Sequence, residues 1–133
     1  MTLGGYYLEF PASYALIAAF TLIFFAGLND TNLAYKGMLS TYNIKHKKEL
    51  YRLLSSGFIH GSWIHLLLNG LGIYFFGTLL ESLAGPTLML FIFLSSVLVG
   101  GLYAWLLRRH DTDYQAVGAS GGVMGLLMCA VMW

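Results

Sequence analysis

Charged residues are scarce in this chain of 133 residues. Asp, Glu, Lys and Arg make up 10% of the sequence, whereas hydrophobic residues make up 58%. One small soluble core cannot cover that much apolar surface, so the composition excludes an ordinary water-soluble domain and predicts a membrane protein surrounded by a lipid bilayer. The formal net charge of +1 gives no basic surface for nucleic acid, which we exclude as a partner.

Cysteine and proline are also rare. The single cysteine, Cys129, excludes an intrachain disulfide and leaves the redox compartment undetermined. Of the two prolines, Pro11 stands just ahead of the first apolar run, where a helix does not need the missing N–H, and Pro86 follows Gly85 at a break between the second and third runs. No basic residue precedes the first run, so we expect it to stay as a membrane helix and not to be cleaved as a signal peptide.

Four apolar runs dominate the chain. A helix of roughly 20 apolar residues crosses the ~30 Å core of a bilayer, and the runs are close to that length. We therefore predict an all-α membrane protein with a single domain and four transmembrane helices, at about 12–28, 62–80, 87–107 and 117–133. Because no polar residue follows the last run, we expect the domain to be incomplete at the C-terminus.

The first loop contains apolar residues at helical spacing beside basic ones. Leu50, Leu53, Leu54 and Phe58 recur in this way near Lys48. Such a pattern is typical of a segment that lies in the membrane interface, so we predict an amphipathic first loop.

Few polar residues interrupt the runs, and each is costly at membrane depth without a partner or a function. His65 and Asn69 are four residues apart and therefore lie on one helix face, with His60 just upstream. Ser120 lies among small residues, which allow a neighbouring helix to approach closely and which we expect to bring His65 and Asn69 to the serine. These small residues are Gly118, Gly121, Gly122 and Gly125.

A serine beside an asparagine and a histidine suits acyl transfer. The hydroxyl attacks a carbonyl, and N–H donors stabilise the oxygen that becomes negative in the tetrahedral intermediate. Asn69 and His65 can donate through side chains, and Ser120 through its backbone N–H. The same side chains are also common in membrane proteins as residues that only form hydrogen bonds between helices.

The motifs together resemble the core of the rhomboid intramembrane proteases. The resemblance covers about residues 50–127: E-L-Y-R, then F-I-H-G-S-W-I-H-L-L-L-N, then G-A-S-G. It implies four helices of a six-helix core, an endopeptidase that cleaves transmembrane segments of client proteins, and a location in the bacterial plasma membrane. It also implies that Ser120 is the nucleophile, that His65 and Asn69 stabilise the oxyanion, that Gly118 and Gly121 belong to the G-x-S-G motif, and that Arg52 belongs to a first-loop W-R motif in which Tyr51 replaces the tryptophan.

The resemblance leaves one catalytic group unassigned. In rhomboids the general base is a histidine on the sixth helix, and no histidine follows Ser120 here. We therefore expect these residues alone to be inactive. The alternative is a catalytically inactive rhomboid-like protein that binds transmembrane clients.

Other interpretations concern single residues. A haem protein or transporter using His60 and His65 is disfavoured, because residues five apart point about 140° apart on a helix, and we expect no cofactor. His60 fits a structural role, Arg52 a side chain that snorkels to the interface and Glu81 a helix-end anchor. All seven Lys and Arg residues fall in the first and third loops, which predicts a cytoplasmic position by the positive-inside rule, whereas the family resemblance implies an outside position.

Overall fold

The computed structural model describes residues 9–133 in full and, before them, only the backbone of Thr2–Leu3 (β1) and Tyr6–Tyr7 (β2). The two short strands pair antiparallel. All the longer elements are helices, so the all-α prediction is confirmed. In chain order they are α1 Pro11–Asn29, α2 Thr31–Gly37, α3 Thr41–Lys47, α4 Arg52–Ser55, α5 Trp63–Gly72, α6 Thr78–Ala84, α7 Pro86–Arg108 and α8 Ser120–Met132.

Three helices within the described residues are long and apolar enough to cross a membrane, and they match three predicted spans closely. They are α1, the continuous helix Trp63–Ala84 and α7. We call Trp63–Ala84 the second membrane helix; it joins α5 and α6 through a π-helical turn, Ile73–Gly77. Gly85, at φ 85°, separates it from α7. Many large apolar side chains on these helices are exposed, as expected for surfaces that face lipid, among them Leu22, Phe25, Ile64, Leu68, Phe91 and Val99.

The helix α8 begins later than predicted. Its 13 residues, Ser120–Met132, form an apolar helix about 20 Å long, and the predicted start at residue 117 is wrong. The preceding residues are held in other conformations: Gln115–Ala116 (β4) pairs antiparallel with Leu39–Ser40 (β3), and Gly118 has φ 114°. A crossing of the membrane by α8 stays a prediction.

The first loop is not one amphipathic helix. It contains three short helices, a two-residue strand and a 3-10 turn, Ser56–Phe58. Leu53 is buried, but Leu50 is 59% exposed, so the predicted apolar stripe does not form one buried face. The chain reverses at Lys48, whose φ of 59° ends α3. The pairing of β3 with β4 joins the first loop to the third.

Arg52 holds the first loop together from inside. Its side chain is 3% exposed and pairs with Glu49 at 2.6 Å. It also donates hydrogen bonds to the carbonyls of Tyr35 and Met38, at 2.7 and 2.8 Å. The prediction of a snorkelling Arg52 is wrong, because the guanidinium binds backbone carbonyls of the loop and does not reach water.

Glu81 is a buried residue of the second membrane helix that binds the N-terminus of α1. Its carboxylate accepts hydrogen bonds from the N–H groups of Ala12 and Ser13, at 2.9 and 2.8 Å, and from the hydroxyl of Ser13 at 2.6 Å. A negative charge at a helix N-terminus is also favoured by the helix dipole. Glu81 therefore anchors the N-terminal end of α1.

The buried core lies where the four long helices meet. Phe20 of α1, Ile73 of the second membrane helix, Phe93 of α7 and Leu126 of α8 have no exposed surface. These contacts fix the start of α8 relative to its neighbours, which positions Ser120.

Candidate active site

Ser120 is the first residue of α8, and this helix start is uncapped. The preceding residue, Ala119, provides no side-chain cap, and the first backbone hydrogen bond runs from the N–H of Val123 to the carbonyl of Ala119. The N–H groups of Ser120, Gly121 and Gly122 come before that bond, as the first N–H groups of any helix do. They can donate to an anion placed beside the serine.

The side chain of Ser120 is exposed and lines a cleft of about 330 Å³. Gly100 and Gly101 of α7 form one wall, and Leu39 and Ser56 of the first loop form another. Neither His65 nor Asn69 lines this cleft. The serine therefore opens towards α7 and the loops.

His65 lies against the backbone just before Ser120. Ser62 caps α5 by accepting a hydrogen bond from the N–H of His65 at 3.2 Å. A Cβ atom added at Gly118 would collide with the His65 ring, and Gly118 also has a positive φ. The positive φ favours glycine at 118, and the His65 ring fills the space that a side chain there would take. The starts of α5 and α8 are therefore adjacent.

Asn69 lies one helical turn further along, on the same face as His65. It is 5% exposed, and its amide donates a hydrogen bond to the carbonyl of His65 at 3.0 Å. A side-chain amide has two N–H groups, so a second donor is left for another acceptor.

His60 lies in the turn ahead of the second membrane helix and packs against His65. The ring centroids are 5.3 Å apart, and the ring of Phe20 is 4.9 Å from that of His60. Within the described residues, neither ring nitrogen of His60 has a hydrogen-bond partner. Burial, and then the neighbouring His65, lower the pKa of His60 from 6.5 to about 4, so its ring is neutral at pH 7.

The small residues of α8 face a different helix from the one predicted. Cβ atoms added at Gly122 and Gly125 would collide with Phe93 and Ser96 of α7, and one at Gly121 would lie 3.4 Å from the carbonyl oxygen of Ser96. The expectation that the small residues bring the second membrane helix close to the serine holds at Gly118, which the His65 ring contacts, but not at Gly121, Gly122 and Gly125, which face α7. The second membrane helix packs against α8 at Gly72, which meets Val123, and against the residues before α8 at His65, which meets Gly118.

Ser56 is a site residue that the sequence did not indicate. It is buried, lines the cleft, and accepts a hydrogen bond from the N–H of Gly118 at 2.8 Å through its carbonyl. This bond fixes the backbone two residues before Ser120. A backbone carbonyl in a loop has no sequence pattern, so no signal could have found it.

The comparison with protein families decides the family. The model of the Rhomboid domain matches residues 47–133, which include the first-loop arginine, the two histidines, Asn69 and the G-A-S-G motif. This chain belongs to the rhomboid family. It is accordingly an integral membrane protein, in agreement with its apolar helices.

Relatives of this rhomboid-family chain come from a bacterium and a plant. The Bacillus subtilis (strain 168) protein named "Putative rhomboid protease YdcA" is 28% identical over 105 residues, which are 78% of this chain and 52% of that protein. RHOMBOID-like protein 2 of Arabidopsis thaliana is 35% identical over 100 residues, 75% of this chain and 31% of that protein. Inactive RHOMBOID-like protein 8 of the same plant is 28% identical over 105 residues, 79% of this chain and 30% of that protein.

The chain spans about half of the length of the bacterial relative and about a third of the plant ones. One of these relatives is named a protease and another is named inactive. Family membership therefore establishes the fold, but it does not distinguish a protease from an inactive member.

Proposed function

We propose that the full-length protein is a serine endopeptidase that cleaves transmembrane segments of client proteins. The observation that carries this proposal is the uncapped start of α8, where Ser120 is exposed in a cleft with the His65 ring packed two residues away. A nucleophile at a helix N-terminus has N–H donors beside it, and these stabilise the negative oxygen of an acyl-transfer intermediate.

In the proposed reaction the Ser120 hydroxyl attacks a peptide carbonyl and passes its proton to a histidine base. The tetrahedral oxyanion accepts a hydrogen bond from the Ser120 N–H. We assign the side chains of Asn69 and His65 as further donors by the family resemblance; because neither lines the cleft at Ser120, the proposal requires the oxyanion to lie on the side of the serine that faces the start of α5. The base then protonates the leaving amine, and water hydrolyses the acyl-enzyme. The proposal requires a histidine beyond the four of this sequence, since none of them follows Ser120.

The clients in this proposal are transmembrane helices that open easily near the membrane surface. A peptide bond inside a helix is shielded by its own hydrogen bonds and packing, and a membrane offers no water to replace them. A glycine or another helix-breaking residue near the scissile bond would lower the cost of exposing the carbonyl.

The second candidate is a catalytically inactive rhomboid that binds transmembrane clients. One observation favours it: a relative that is 28% identical over 105 residues is named inactive.

A serine-directed fluorophosphonate distinguishes the two candidates. For a protease, the full-length protein reacts with the probe, Ser120→Ala abolishes labelling, and Ser95→Ala leaves it unchanged. Ser95 is a matched control because its hydroxyl donates to the carbonyl of Ile92 within α7. Full-length protein that neither reacts nor cleaves a model transmembrane client would support the client-binding candidate.

The orientation in the membrane is a separate part of the proposal. We place the first loop and Ser120 outside, following the family resemblance, and a bacterial plasma membrane stays a prediction. In a Cys129→Ala background, an impermeant thiol reagent added outside should label Lys47→Cys in the first loop. Labelling of Leu83→Cys alone, at the other end of the second membrane helix, would reverse the orientation.

A further inference from the structure

A second cleft lies at the end of α7, apart from the one at Ser120. It has a volume of about 380 Å³ and shares no lining residue with the Ser120 cleft. We call it the basic pocket. Its lining residues come from α3, the turn after it and the end of α7: Ile44, Lys45, Lys48, Leu50, Trp105, Arg109 and His110.

Within residues 9–133, no carboxylate forms an ion pair with Lys45, Lys48 or Arg109 of the basic pocket. None of its lining residues is acidic. The one ion pair found across residues 9–133 joins Glu49 to Arg52, so the carboxylate next to Lys48 in sequence is already bound elsewhere. Lys45, Lys48 and Arg109 therefore concentrate positive charge around one cavity, which favours an anionic ligand.

Trp105 adds a neutral donor to the basic pocket. Its indole nitrogen is buried, and among the described residues it has no hydrogen-bond partner. A buried donor without an acceptor costs free energy, so a small rotation of the indole that brings its N–H to a ligand oxygen in the pocket would be favoured. A phosphate offers several such oxygens and also binds lysine and arginine strongly.

The remaining walls of the pocket are apolar and lie at the level of the membrane surface. Ile44 is buried and Leu50 is 59% exposed beside the charged groups. Trp105 is in the last turn of α7, a helix of 23 residues long enough to cross the bilayer. Tryptophan at such a helix end lies at the depth of the lipid headgroups.

We propose that the basic pocket binds the headgroup of an anionic phospholipid. Lys48 and Arg109 bind the phosphate, the Trp105 N–H donates to one of its oxygens, and Leu50 contacts the start of an acyl chain. A free phosphate has the same anionic chemistry but no apolar part, so the apolar wall favours the lipid. This inference does not depend on whether Ser120 is catalytic.

The test measures lipid binding to the full-length protein by native mass spectrometry in a neutral detergent. The protein is titrated with phosphatidylglycerol, with phosphatidylcholine and with inorganic phosphate. The double variant Lys48→Gln/Arg109→Gln should bind phosphatidylglycerol at least roughly tenfold more weakly, since it loses two charge-assisted contacts. Trp105→Phe replaces the indole by a smaller aromatic ring that lacks the donor, and we expect a loss of roughly threefold.

The matched control is Lys36→Gln/Lys47→Gln, which removes the same charge from exposed first-loop residues outside the pocket. It should bind phosphatidylglycerol within about threefold of the wild type, because neither side chain lines the pocket and exposed charges without direct contacts contribute little. Equal losses in the two double variants would overturn the proposal in favour of general surface attraction. Inorganic phosphate that displaces the lipid at low millimolar concentration, or equal binding of phosphatidylcholine, would overturn the assignment of an anionic lipid. Thermal unfolding without added lipid checks that each variant is folded.

Discussion

Two polar regions of this molecule differ in how far their hydrogen bonds are satisfied. Glu81 accepts from three donors at the start of α1, and Arg52 binds a carboxylate and two carbonyls in the first loop. By contrast, His60 has no partner for either ring nitrogen within residues 9–133, and the helix that starts at Ser120 has no side-chain cap. We call Glu81 and Arg52, with their partners, the saturated region. We call His60 and the start of α8 the open region.

The difference separates polar residues that hold the fold from those that can bind something else. A polar group in an apolar surrounding is costly unless it is hydrogen-bonded. The saturated region meets that cost within the chain, so its residues stabilise the fold. The open region keeps donors and acceptors unused, as expected of a site whose partner is a substrate or water.

The largest expected effect comes from removing the carboxylate of Glu81 in the saturated region. In Glu81→Ala, three donors of Ala12 and Ser13 lose their acceptor inside the protein. At roughly 1–3 kcal/mol for each buried unsatisfied group, with partial relaxation, the free energy of unfolding should fall by about 4 kcal/mol. Chemical denaturation in detergent measures this change.

The control for Glu81 is the neighbouring Ser82→Ala. The Ser82 hydroxyl donates only to the carbonyl of Leu79 in its own helix and is exposed, so this variant should change stability by less than about 0.5 kcal/mol. A loss below 1 kcal/mol in Glu81→Ala would mean that α1 is held by apolar packing alone.

The next largest effect comes from protonation of the His60 ring in the open region. The pKa of this histidine is about 4 in the folded protein and 6.5 when unfolded. Between these values the unfolded chain binds one more proton. The stability from the neutral ring is therefore complete above pH 6.5 and is lost as the pH falls to about 4, by on the order of 3 kcal/mol.

The pH dependence of unfolding, measured in wild type and His60→Phe, isolates this contribution. The variant should lose the part of the slope between pH 6.5 and 4, whereas His46→Gln, in the exposed part of the first loop, should keep it. Equal slopes in wild type and His60→Phe would show that water or another group compensates the buried ring.

Arg52→Lys tests whether the saturated region needs a guanidinium or only a positive charge. A lysine can keep the attraction to Glu49, but its single nitrogen cannot also reach the carbonyls of Tyr35 and Met38 in the same geometry. We expect a loss of about 2 kcal/mol and faster proteolysis of the first loop. Lys36→Arg, at an exposed position of α2, is the control and should have no effect on either measurement.

The sequence predicts the long helices well and their partners poorly. Pro11 and the Gly85–Pro86 step mark helix ends by local backbone chemistry, and the observed bounds of α1 and α7 agree with the prediction to within one residue. The sequence predicts a start near residue 117 for the last helix, whereas α8 starts at Ser120. Only the pairing of β4 with β3 and the positive φ of Gly118 move it to Ser120.

The site shows the same limit. The i, i+4 spacing places His65 and Asn69 on one face, and the structure agrees, since the Asn69 amide reaches the carbonyl of His65. Spacing does not say which helix a glycine face meets, so Gly121 was assigned to the wrong neighbour. A snorkelling Arg52 failed for a similar reason, because the carbonyls that bind it are 14 and 17 residues away.

The smallest expected effect on stability, and the sharpest test of the open region, is Gly118→Ala compared with Gly85→Ala. Both glycines have positive φ, so each alanine should cost about 1–2 kcal/mol of strain. A Cβ atom at Gly85 meets nothing within 4 Å, whereas one at Gly118 collides with the His65 ring. The ring can rotate away, so the two variants should lose similar stability, but only Gly118→Ala should move His65.

In the full-length protein we therefore expect Gly118→Ala to reduce Ser120 labelling by fluorophosphonate at least tenfold, because the oxyanion donors are displaced, and Gly85→Ala to leave labelling unchanged. Equal labelling of the two variants would show that the position of His65 does not matter for the reactivity of Ser120. The open region would then have its function elsewhere, for example at His60.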